Sequence, residues 1–206
     1  MNALRTPCYV IDEGAVERNL RILAGVIERT GCKILLAQKA FSCYGLYPLI
    51  GRYLSGATAS GLYEARLCHE CMPQGENHIF SPAFREEDMD EILSICQHVV
   101  FNSPRQLSLY GARAKAAGVH VGLRVNPQKS TQEGHAIYDP CAPLSRLGTT
   151  VAELEEALSQ QPELLGLLDG LHFHTLCEQD SDDLKTTLDA FEEQFMEFLP
   201  QMKWVN

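Results

Sequence analysis

The 206-residue sequence lacks the features that mark membrane-spanning, exported or nucleic-acid-binding chains. No apolar run approaches the roughly 18 residues that a transmembrane helix needs. The start, MNALRTPCYVIDEG, has no apolar stretch behind a basic one, so we expect no signal peptide and a cytoplasmic protein. Basic patches are missing and the formal net charge is −10, which argues against nucleic acid as a partner.

A glycine-rich GxGxxG fingerprint, a low-complexity tract and a close internal repeat are also missing. Hydrophobic residues make up 45% of the chain and charged residues 21%, as is usual for a soluble globular protein. The sequence therefore predicts a folded domain with a sizeable core rather than a dinucleotide-binding or disordered chain.

The eight cysteines lack the context of a disulfide framework, because the chain is long enough to form a core and no export signal precedes them. We therefore expect free thiols. Cys68 and Cys71, in the sequence CHEC, have metal-binding spacing, but no second pair follows and the surrounding GLYEARLCHECM is typical of a helix. A structural zinc site usually needs four ligands, so we predict no metal site.

Short apolar runs alternate with amphipathic stretches along the chain. The first five runs begin roughly 20 residues apart, which is the spacing of strand–helix units. The predicted strands are residues 33–37, 56–60, 78–81, 98–102, 119–125, 167–174 and 203–206.

Helical periodicity fills the intervals between these strands. Apolar residues recur at steps of three and four in two stretches, one from Val16 to Ile27 and one from Leu184 to Phe198. Ser103 and Pro104 have the order of an N-cap and a first helical residue, and Gly118 is a typical helix stop.

Strands and helices in alternation predict a parallel sheet covered by helices. Two architectures fit, an open doubly wound sheet and a (β/α)₈ barrel. The even spacing and the missing GxGxxG favour the barrel. A barrel needs eight units and typically about 250 residues, whereas this sequence stops at its seventh predicted strand, so we expect an incomplete barrel.

Functional sites of such barrels lie at the carboxyl ends of the strands, and here those ends are polar. The segments that follow or close the predicted strands are Gln38-Lys39, residues 58–61, residues 101–103, residues 124–127 and residues 172–174. We expect their side chains to converge on one rim.

Two cations on this rim each have a functional and an ordinary interpretation. Lys39 follows an apolar run, and a lysine that loses solvation offers a nucleophilic amine suited to Schiff-base chemistry. It could equally be a loop lysine with its ammonium in water. Arg124 could hold an anion or pair with a carboxylate at the rim.

His172 and His174 stand two residues apart on a predicted strand, so we expect both to point to the same face. They could bind a metal together, one of them could stack on a flat ligand, or both could be structural. We rank metal binding lowest, because no other histidine stands at a predicted strand end with a carboxylate beside it.

Several motifs in fixed order carry a resemblance to a known family. TPCYVID, KILLAQKAFS, ATASGLYEARL, GLRVNP, SRLG and GLHFHTLCE cover nearly the whole chain in that order. The sequence resembles the pyridoxal-phosphate (PLP) decarboxylases of the alanine-racemase-like barrel class, and among them most of all the carboxynorspermidine/carboxyspermidine decarboxylases.

The resemblance implies roles for five residues. Lys39 matches the lysine that binds PLP covalently, and His174 matches the histidine that stacks on the cofactor ring. Arg124, Ser60 and Glu64 match positions that line the cofactor site. The resemblance implies no site residues beyond these five, and no metal ligands.

The resemblance also implies a function. We expect PLP-dependent decarboxylation of carboxynorspermidine or carboxyspermidine to norspermidine or spermidine, with the full-length family acting as homodimers. Other PLP barrel proteins (amino-acid decarboxylases, racemases or PLP carriers) and a metal-dependent hydrolase using His172 and His174 are the alternatives.

The sequence departs from the family in two respects. Cys177 stands where relatives often carry a phosphate-binding serine. Family members also continue past the seventh strand with a glycine-rich phosphate loop and a β-domain. We therefore expect a truncated form with impaired activity, in which residues 1–12 are a strand that would join the absent β-domain and residues 13–206 are a partial barrel.

Overall fold

The computed structural model describes residues 5–132 and 136–206, and its centre is one parallel sheet of seven strands. The strands pair in chain order, each with the next. They are β1 (Leu35–Ala37), β2 (Gly56–Ala59), β3 (Glu76–Phe80), β4 (His98–Phe101), β5 (His120–Arg124), β6 (Gly170–His172) and β7 (Trp204–Val205).

Helices connect the strands on one side of the sheet. They are α1 (Glu13–Thr30), α2 (Tyr47–Ile50), α3 (Leu62–Cys71), α4 (Glu86–Ile95), α5 (Pro104–Ala116), α6 (Val151–Gln160) and α7 (Ser181–Phe195). Short 3₁₀ helices lie at Tyr44–Leu46, Ala136–Tyr138, Pro162–Leu167 and Leu199–Gln201.

Strand order decides between the two architectures that the sequence left open. A doubly wound sheet reverses its order at a switch point, whereas here β1 to β7 follow one another without reversal. Among the described residues, β1 pairs only with β2 and β7 only with β6. The chain therefore forms an incomplete (β/α)₈ barrel, as predicted.

All seven predicted strands are present, but the sixth is shorter than the predicted span of residues 167–174. Leu167 ends a 3₁₀ helix, and the N–H of Leu168 still donates to the carbonyl of Leu165. Pairing with β5 begins at Asp169, whose N–H donates to the carbonyl of Val121 at 2.7 Å. Apolar composition alone did not distinguish this buried turn from the strand that follows it.

The helix boundaries of α5 follow the local signals. The Ser103 side chain accepts a hydrogen bond from the N–H of Gln106, and Pro104 is the first helical residue. The helix ends at Ala116, and Gly118 has a φ of 76°, the left-handed conformation that glycine adopts without strain. Both predictions are confirmed.

The apolar core lies between the sheet and its helices, because alternate strand residues face that way. Val99, Phe101, Val121 and Leu123 are fully buried against helical side chains such as Leu107. The other face of the same strands carries His98, His120, Gly122 and Arg124. The polar side chains of these strands therefore face the barrel interior.

Trp204 fills the interior near the N-terminal ends of the strands. Its indole contacts the backbone of Gly122 and Gly170 so closely that a β-carbon at either position would overlap atoms of the ring. The ring of His98 meets the indole edge-on, with centroids 5.5 Å apart. Two glycines on neighbouring strands thus make the space that one large aromatic ring occupies.

The first described residues, 5–12, form no strand in this structure. Tyr9, Val10 and Ile11 are 101%, 68% and 45% exposed, so this apolar segment is uncovered here. That residues 1–12 join another domain stays a prediction, and residues 1–4 lie outside the described part of the chain.

All eight cysteines are free thiols, as expected. Burial raises the pKa of Cys68 to about 11, so its sulfur stays protonated and is a poor metal ligand. Within the described ranges, no helix is long and apolar enough to cross a membrane.

We predict that Gly170→Ala lowers the free energy of unfolding by about 1–3 kcal/mol, because the added methyl group must displace Trp204. Urea unfolding followed by tryptophan fluorescence measures this change, since Trp204 is the single tryptophan of the chain. Gly166→Ala is the matched control, because a β-carbon added at Gly166 would have no other atom within 4 Å. Equal midpoints for the two variants would contradict the packing described.

Candidate functional site

The carboxyl ends of the strands bring most of the predicted site residues to one edge of the sheet. Arg124 is the last residue of β5 and His172 the last of β6, and the two are paired in register. Lys39 lies in the turn after β1, and Ser60 directly follows β2. His174 follows β6 by two residues.

Arg124 is the most constrained cation of this edge. It is 4% exposed, its guanidinium lies 4.7 Å from the centre of the Phe80 ring, and its Nη2 donates to the carbonyl oxygen of His174 at 3.4 Å. Its Nε is buried without a hydrogen-bond partner. No carboxylate in the described ranges lies within ion-pair distance of it, so of the two interpretations the structure favours an anion site.

Burial lowers the pKa of Arg124 to about 10, because the charged form loses solvation. The guanidinium nevertheless keeps its charge at pH 7. A buried cation without a counter-charge is costly to the fold, and it is the kind of group that a bound anion would stabilise.

The loop containing SRLG fixes the surroundings of Arg124. Asn102, at the end of β4, donates to the carbonyl of Arg146 at 2.9 Å and accepts from the N–H of Gly148 at 2.8 Å. The N–H of Thr149 then donates to the carbonyl of Arg124 at 2.9 Å. Gly148 has a φ of 84°, and a β-carbon there would lie 3.0 Å from the backbone of Val125, so this position requires glycine.

His174 lies in the loop after β6 and not on the strand, which corrects the prediction that it shares a strand face with His172. The pairing of β6 with its neighbours stops soon after His172, and the last contact is the N–H of Phe173 donating to the carbonyl of Asn206 at 2.9 Å. His174 is exposed in this structure. Surrounding protein still desolvates it, and with the charges of Lys39 and Arg124 this lowers the pKa of His174 to about 4.

His172 faces the barrel interior. Its Nδ1 hydrogen-bonds to the side-chain oxygen of Asn206, and its ring stacks on Phe80 with centroids 5.6 Å apart. Burial lowers its pKa to about 4, although the hydrogen bond to Asn206 acts in the opposite direction. Both histidines are therefore neutral at pH 7, which is the form that stacks on a flat ligand without a charge.

Lys39 is exposed in this structure, and the desolvated environment that its apolar neighbours suggested is not present. The three-residue strand β1 ends before Lys39, and the following turn carries the side chain out towards the rim. Its positive charge is one of the causes that lower the pKa of His172 and His174.

Ser60 and Glu64 are joined by a hydrogen bond. The backbone N–H of Ser60 donates to the Glu64 carboxylate at 2.6 Å, so Glu64 caps the start of α3 with its charge at the positive end of the helix. In the turn that carries Lys39, the buried side-chain oxygen of Gln38 accepts a hydrogen bond from the Tyr47 hydroxyl at 3.2 Å. The structure therefore gives Glu64 a capping role of its own.

Phe80 belongs to this edge and was missed by the sequence reasoning. It ends β3, stacks on His172 and carries the guanidinium of Arg124 on its face. Its position at a strand end, two residues after His78 on the same face, was the available signal. A separate cleft of about 810 Å³ lies between α5, α6 and described residues of the segments 126–130 and 139–150, and it does not include Lys39, Arg124 or His174.

A metal site at His172 and His174 finds no support. Within residues 5–132 and 136–206, the one group of side chains close enough to share a metal ion is Glu76, His78 and His98, at the other edge of the sheet. Cys177 is half-buried, and its carbonyl accepts a hydrogen bond from Gln132 at 2.7 Å. The correspondence of Cys177 to a phosphate-binding serine of relatives rests on the sequence resemblance alone.

Comparison with known proteins shows relatives along the whole chain, although no family model matches. The chain is 39% identical over 203 residues to the carboxynorspermidine/carboxyspermidine decarboxylase of Campylobacter jejuni, covering 98% of this chain and 50% of that protein. It is 34% identical over 206 residues to the carboxyaminopropylagmatine decarboxylase of a Synechocystis strain. The chain thus spans about half the length of the curated relatives it matches.

Solved structures agree with this result. A crystal structure of carboxynorspermidine decarboxylase from Campylobacter jejuni, in complex with norspermidine, matches with a TM-score of 0.85 at 37% identity, over 98% of this chain and 50% of that one. Diaminopimelate decarboxylase from Helicobacter pylori, with a TM-score of 0.70 at 15% identity, shares the fold. So does alanine racemase from Corynebacterium glutamicum, with a TM-score of 0.65 at 16% identity.

We predict that His172 makes the stability of the chain depend on pH. Its pKa is about 4 in the folded state and ordinarily about 6.5, so between these values the unfolded chain binds a proton that the folded chain excludes. Stability should therefore fall as the pH drops from 7 towards 4. The contribution of this one proton is at most about 1.4 kcal/mol per pH unit.

Urea midpoints measured at pH 7 and pH 5 test this prediction. His172→Gln keeps a donor for Asn206 and should lose less stability between the two values than the unaltered chain loses. His69→Gln, at an exposed position of α3, is the control and should behave as the unaltered chain does. The same pH dependence in His172→Gln and the unaltered chain would show that His172 is not the group responsible.

Proposed function

We propose, on its homology to carboxynorspermidine/carboxyspermidine decarboxylases, that this chain provides the PLP site of a decarboxylase acting on carboxylated polyamines. The observation that carries the proposal is the buried guanidinium of Arg124, which has no carboxylate partner in the described ranges and an Nε without a hydrogen bond. It lies beside neutral His174, at the edge that also carries Lys39. These three groups fit PLP chemically, because the cofactor has an anionic phosphate, a flat ring and an aldehyde.

Each residue would have a separate task at this edge. Lys39 offers a primary amine that can hold the cofactor covalently. His174, neutral at pH 7, offers a flat face to pack on a ring, and Arg124 offers a fixed positive charge to an anionic group. Bound PLP would supply the electron sink that loss of carbon dioxide requires.

Ser60 and Glu64 would line the same site from the start of α3. Their hydrogen bond fixes the loop after β2 beside the turn that carries Lys39. Phe80 and His172 would support Arg124 from below, since the aromatic face and the guanidinium are already in contact. A rigid support of this kind keeps the cation in place before any ligand arrives.

The proposed substrates are carboxynorspermidine and carboxyspermidine, and the products norspermidine and spermidine, which places the protein in polyamine biosynthesis. The names of the relatives and the norspermidine complex of the Campylobacter jejuni enzyme support this choice. A net charge of −10 is compatible with cationic substrates. A cytoplasmic location and a homodimeric assembly are part of the same proposal.

We predict that PLP added to the chain, followed by reduction with borohydride, labels Lys39. Peptide mapping by mass spectrometry should find the added mass on that residue, and Lys39→Arg should abolish it. Lys185→Arg is the control, because Lys185 is exposed on α7 and pairs with Asp189. Equal labelling of several lysines, with Lys39 not preferred, would overturn the assignment.

We also predict that Arg124→Gln weakens PLP binding without destabilising the fold. Removal of a buried, unpaired charge should leave the free energy of unfolding unchanged or raise it. Loss of a charged contact to the cofactor should weaken PLP binding by at least about tenfold, or 1.4 kcal/mol.

Thermal unfolding and PLP titration by absorbance measure the two effects. Arg29→Gln, at an exposed position of α1, is the control for removing one positive charge. A strongly destabilised Arg124→Gln chain would show that Arg124 serves the fold instead. Carbon dioxide release from carboxynorspermidine, carboxyspermidine and carboxyaminopropylagmatine, compared with that from amino acids, separates the proposed substrates from those of other PLP decarboxylases.

A further inference from the structure

The opposite edge of the sheet, where the strands begin, carries a second polar group that the proposed function does not use. Glu76 and His78 lie on β3, His98 is the first residue of β4, and His120 is the first of β5. The register pairs His78 with His98 and His98 with His120, so three imidazoles lie side by side. Ring centroids are 3.9 Å apart in the first pair and 4.7 Å in the second.

The carboxylate of Glu76 lies against two of these rings. Its Oε2 is 2.9 Å from Nε2 of His78 and 3.9 Å from Nε2 of His98. One ligand atom from each of the three residues lies within 4.8 Å of the others. Two ligands of a tetrahedral zinc ion are about 3.3 Å apart, given metal–ligand distances near 2.0–2.1 Å. One of the two separations is shorter than that value and the other is longer. The rings of His78 and His98 are stacked at an interplanar angle of 9°, so one of them has to turn for both to bind one ion through their in-plane lone pairs.

The ring of His98 has no hydrogen-bond partner of its own. It is 8% exposed, and its Nδ1 is buried and unpaired. A buried imidazole without a partner is uncommon and calls for an explanation. The edge-on contact with Trp204 gives neither nitrogen a hydrogen bond, and Nε2, not the buried Nδ1, is the nitrogen that faces Glu76.

Protonation states in this cluster suit a metal ion. Burial lowers the pKa of His98 to about 4 and also lowers that of His78, so both rings are neutral at pH 7. Burial opposes ionisation of Glu76, but hydrogen bonds from Lys33 and His78 outweigh it and lower the pKa of the carboxyl. Two neutral imidazoles and a carboxylate are the form in which these groups bind metals.

A route from solvent reaches the cluster. A cleft of about 360 Å³ at the beginning of β3 to β5 has Glu76, His98 and His120 among its walls. Lys33 pairs with the other carboxylate oxygen, Oε1, which leaves Oε2 directed at the two histidines. The site therefore has ligands, access and one oxygen not held by the lysine.

We propose that Glu76, His78 and His98 form a binding site for a divalent transition-metal ion of the zinc type, with water in the fourth position. Two histidines and one carboxylate are a recognised zinc ligand set, and imidazole ligands favour zinc, cobalt, nickel and copper over magnesium or calcium. The ion would join β3 to β4 at the end of the barrel opposite Lys39. It would stabilise the sheet and is independent of the PLP site.

Titration of the chelator-treated chain with Co²⁺ and Zn²⁺, each as the metal alone, tests this proposal. Calorimetry should show one tight equivalent, and bound Co²⁺ should give visible absorption without a thiolate charge-transfer band. Zinc should raise the thermal midpoint, because it binds the folded state. Glu76→Gln and His78→Gln should each weaken binding at least tenfold and abolish the thermal shift.

His69→Gln is the matched control, since His69 is exposed on α3 beside Cys68 and Cys71, and it should bind as the unaltered chain does. His98→Gln is a third variant, and circular dichroism shows whether each variant folds. His78→Gln, at a less buried position, keeps the test decisive if His98→Gln unfolds. Unchanged binding in Glu76→Gln and His78→Gln, a thiolate band, or no binding at all would overturn the proposal.

Discussion

The in-register pairing of parallel strands β3 to β6 is the constraint on which the rest of the structure depends. This pairing makes lateral neighbours of residues that are far apart in the sequence: His78 pairs with His98, His98 with His120, and Arg124 with His172. At the carboxyl edge this register sets Arg124 beside His172, and at the amino edge it aligns His78, His98 and His120. Apolar residues alternate with these and bury against the helices, which leaves the polar set inside the barrel.

Arg124 is a buried positive charge for which this arrangement provides no counter-charge in the described ranges. The guanidinium of Arg124 lies over the ring of Phe80 and donates a hydrogen bond to the carbonyl of His174. The backbone carbonyl of Arg124 accepts from the N–H of Thr149. No carboxylate in the described ranges pairs with the guanidinium. Without a ligand this residue destabilises the folded chain, because its buried charge is not compensated. The neutral rings of His172 and His174 beside it do not reduce that charge. We infer that the counter-charge comes from the ligand.

Local signals in the sequence predicted the elements well, because a strand or a cap depends on neighbours along the chain. Ser103 and Pro104 predicted the start of α5, and the seven apolar runs predicted seven strands. Signals that depend on distant partners were harder to interpret. The limits of strand pairing determine three features that the sequence did not predict. These are the solvent exposure of Lys39, the loop position of His174 and the turn before β6. The histidine stack follows from register between strands, which no single segment contains.

The central claim is that the carboxyl edge of this sheet is a PLP site assembled from Lys39, Arg124 and His174. A crystal structure of the chain soaked with PLP tests it most directly. We predict electron density continuous with Nζ of Lys39, a ring packed on His174 and an anionic group near the guanidinium of Arg124. Ordered PLP bound elsewhere on the chain, with this edge occupied only by water, would contradict it.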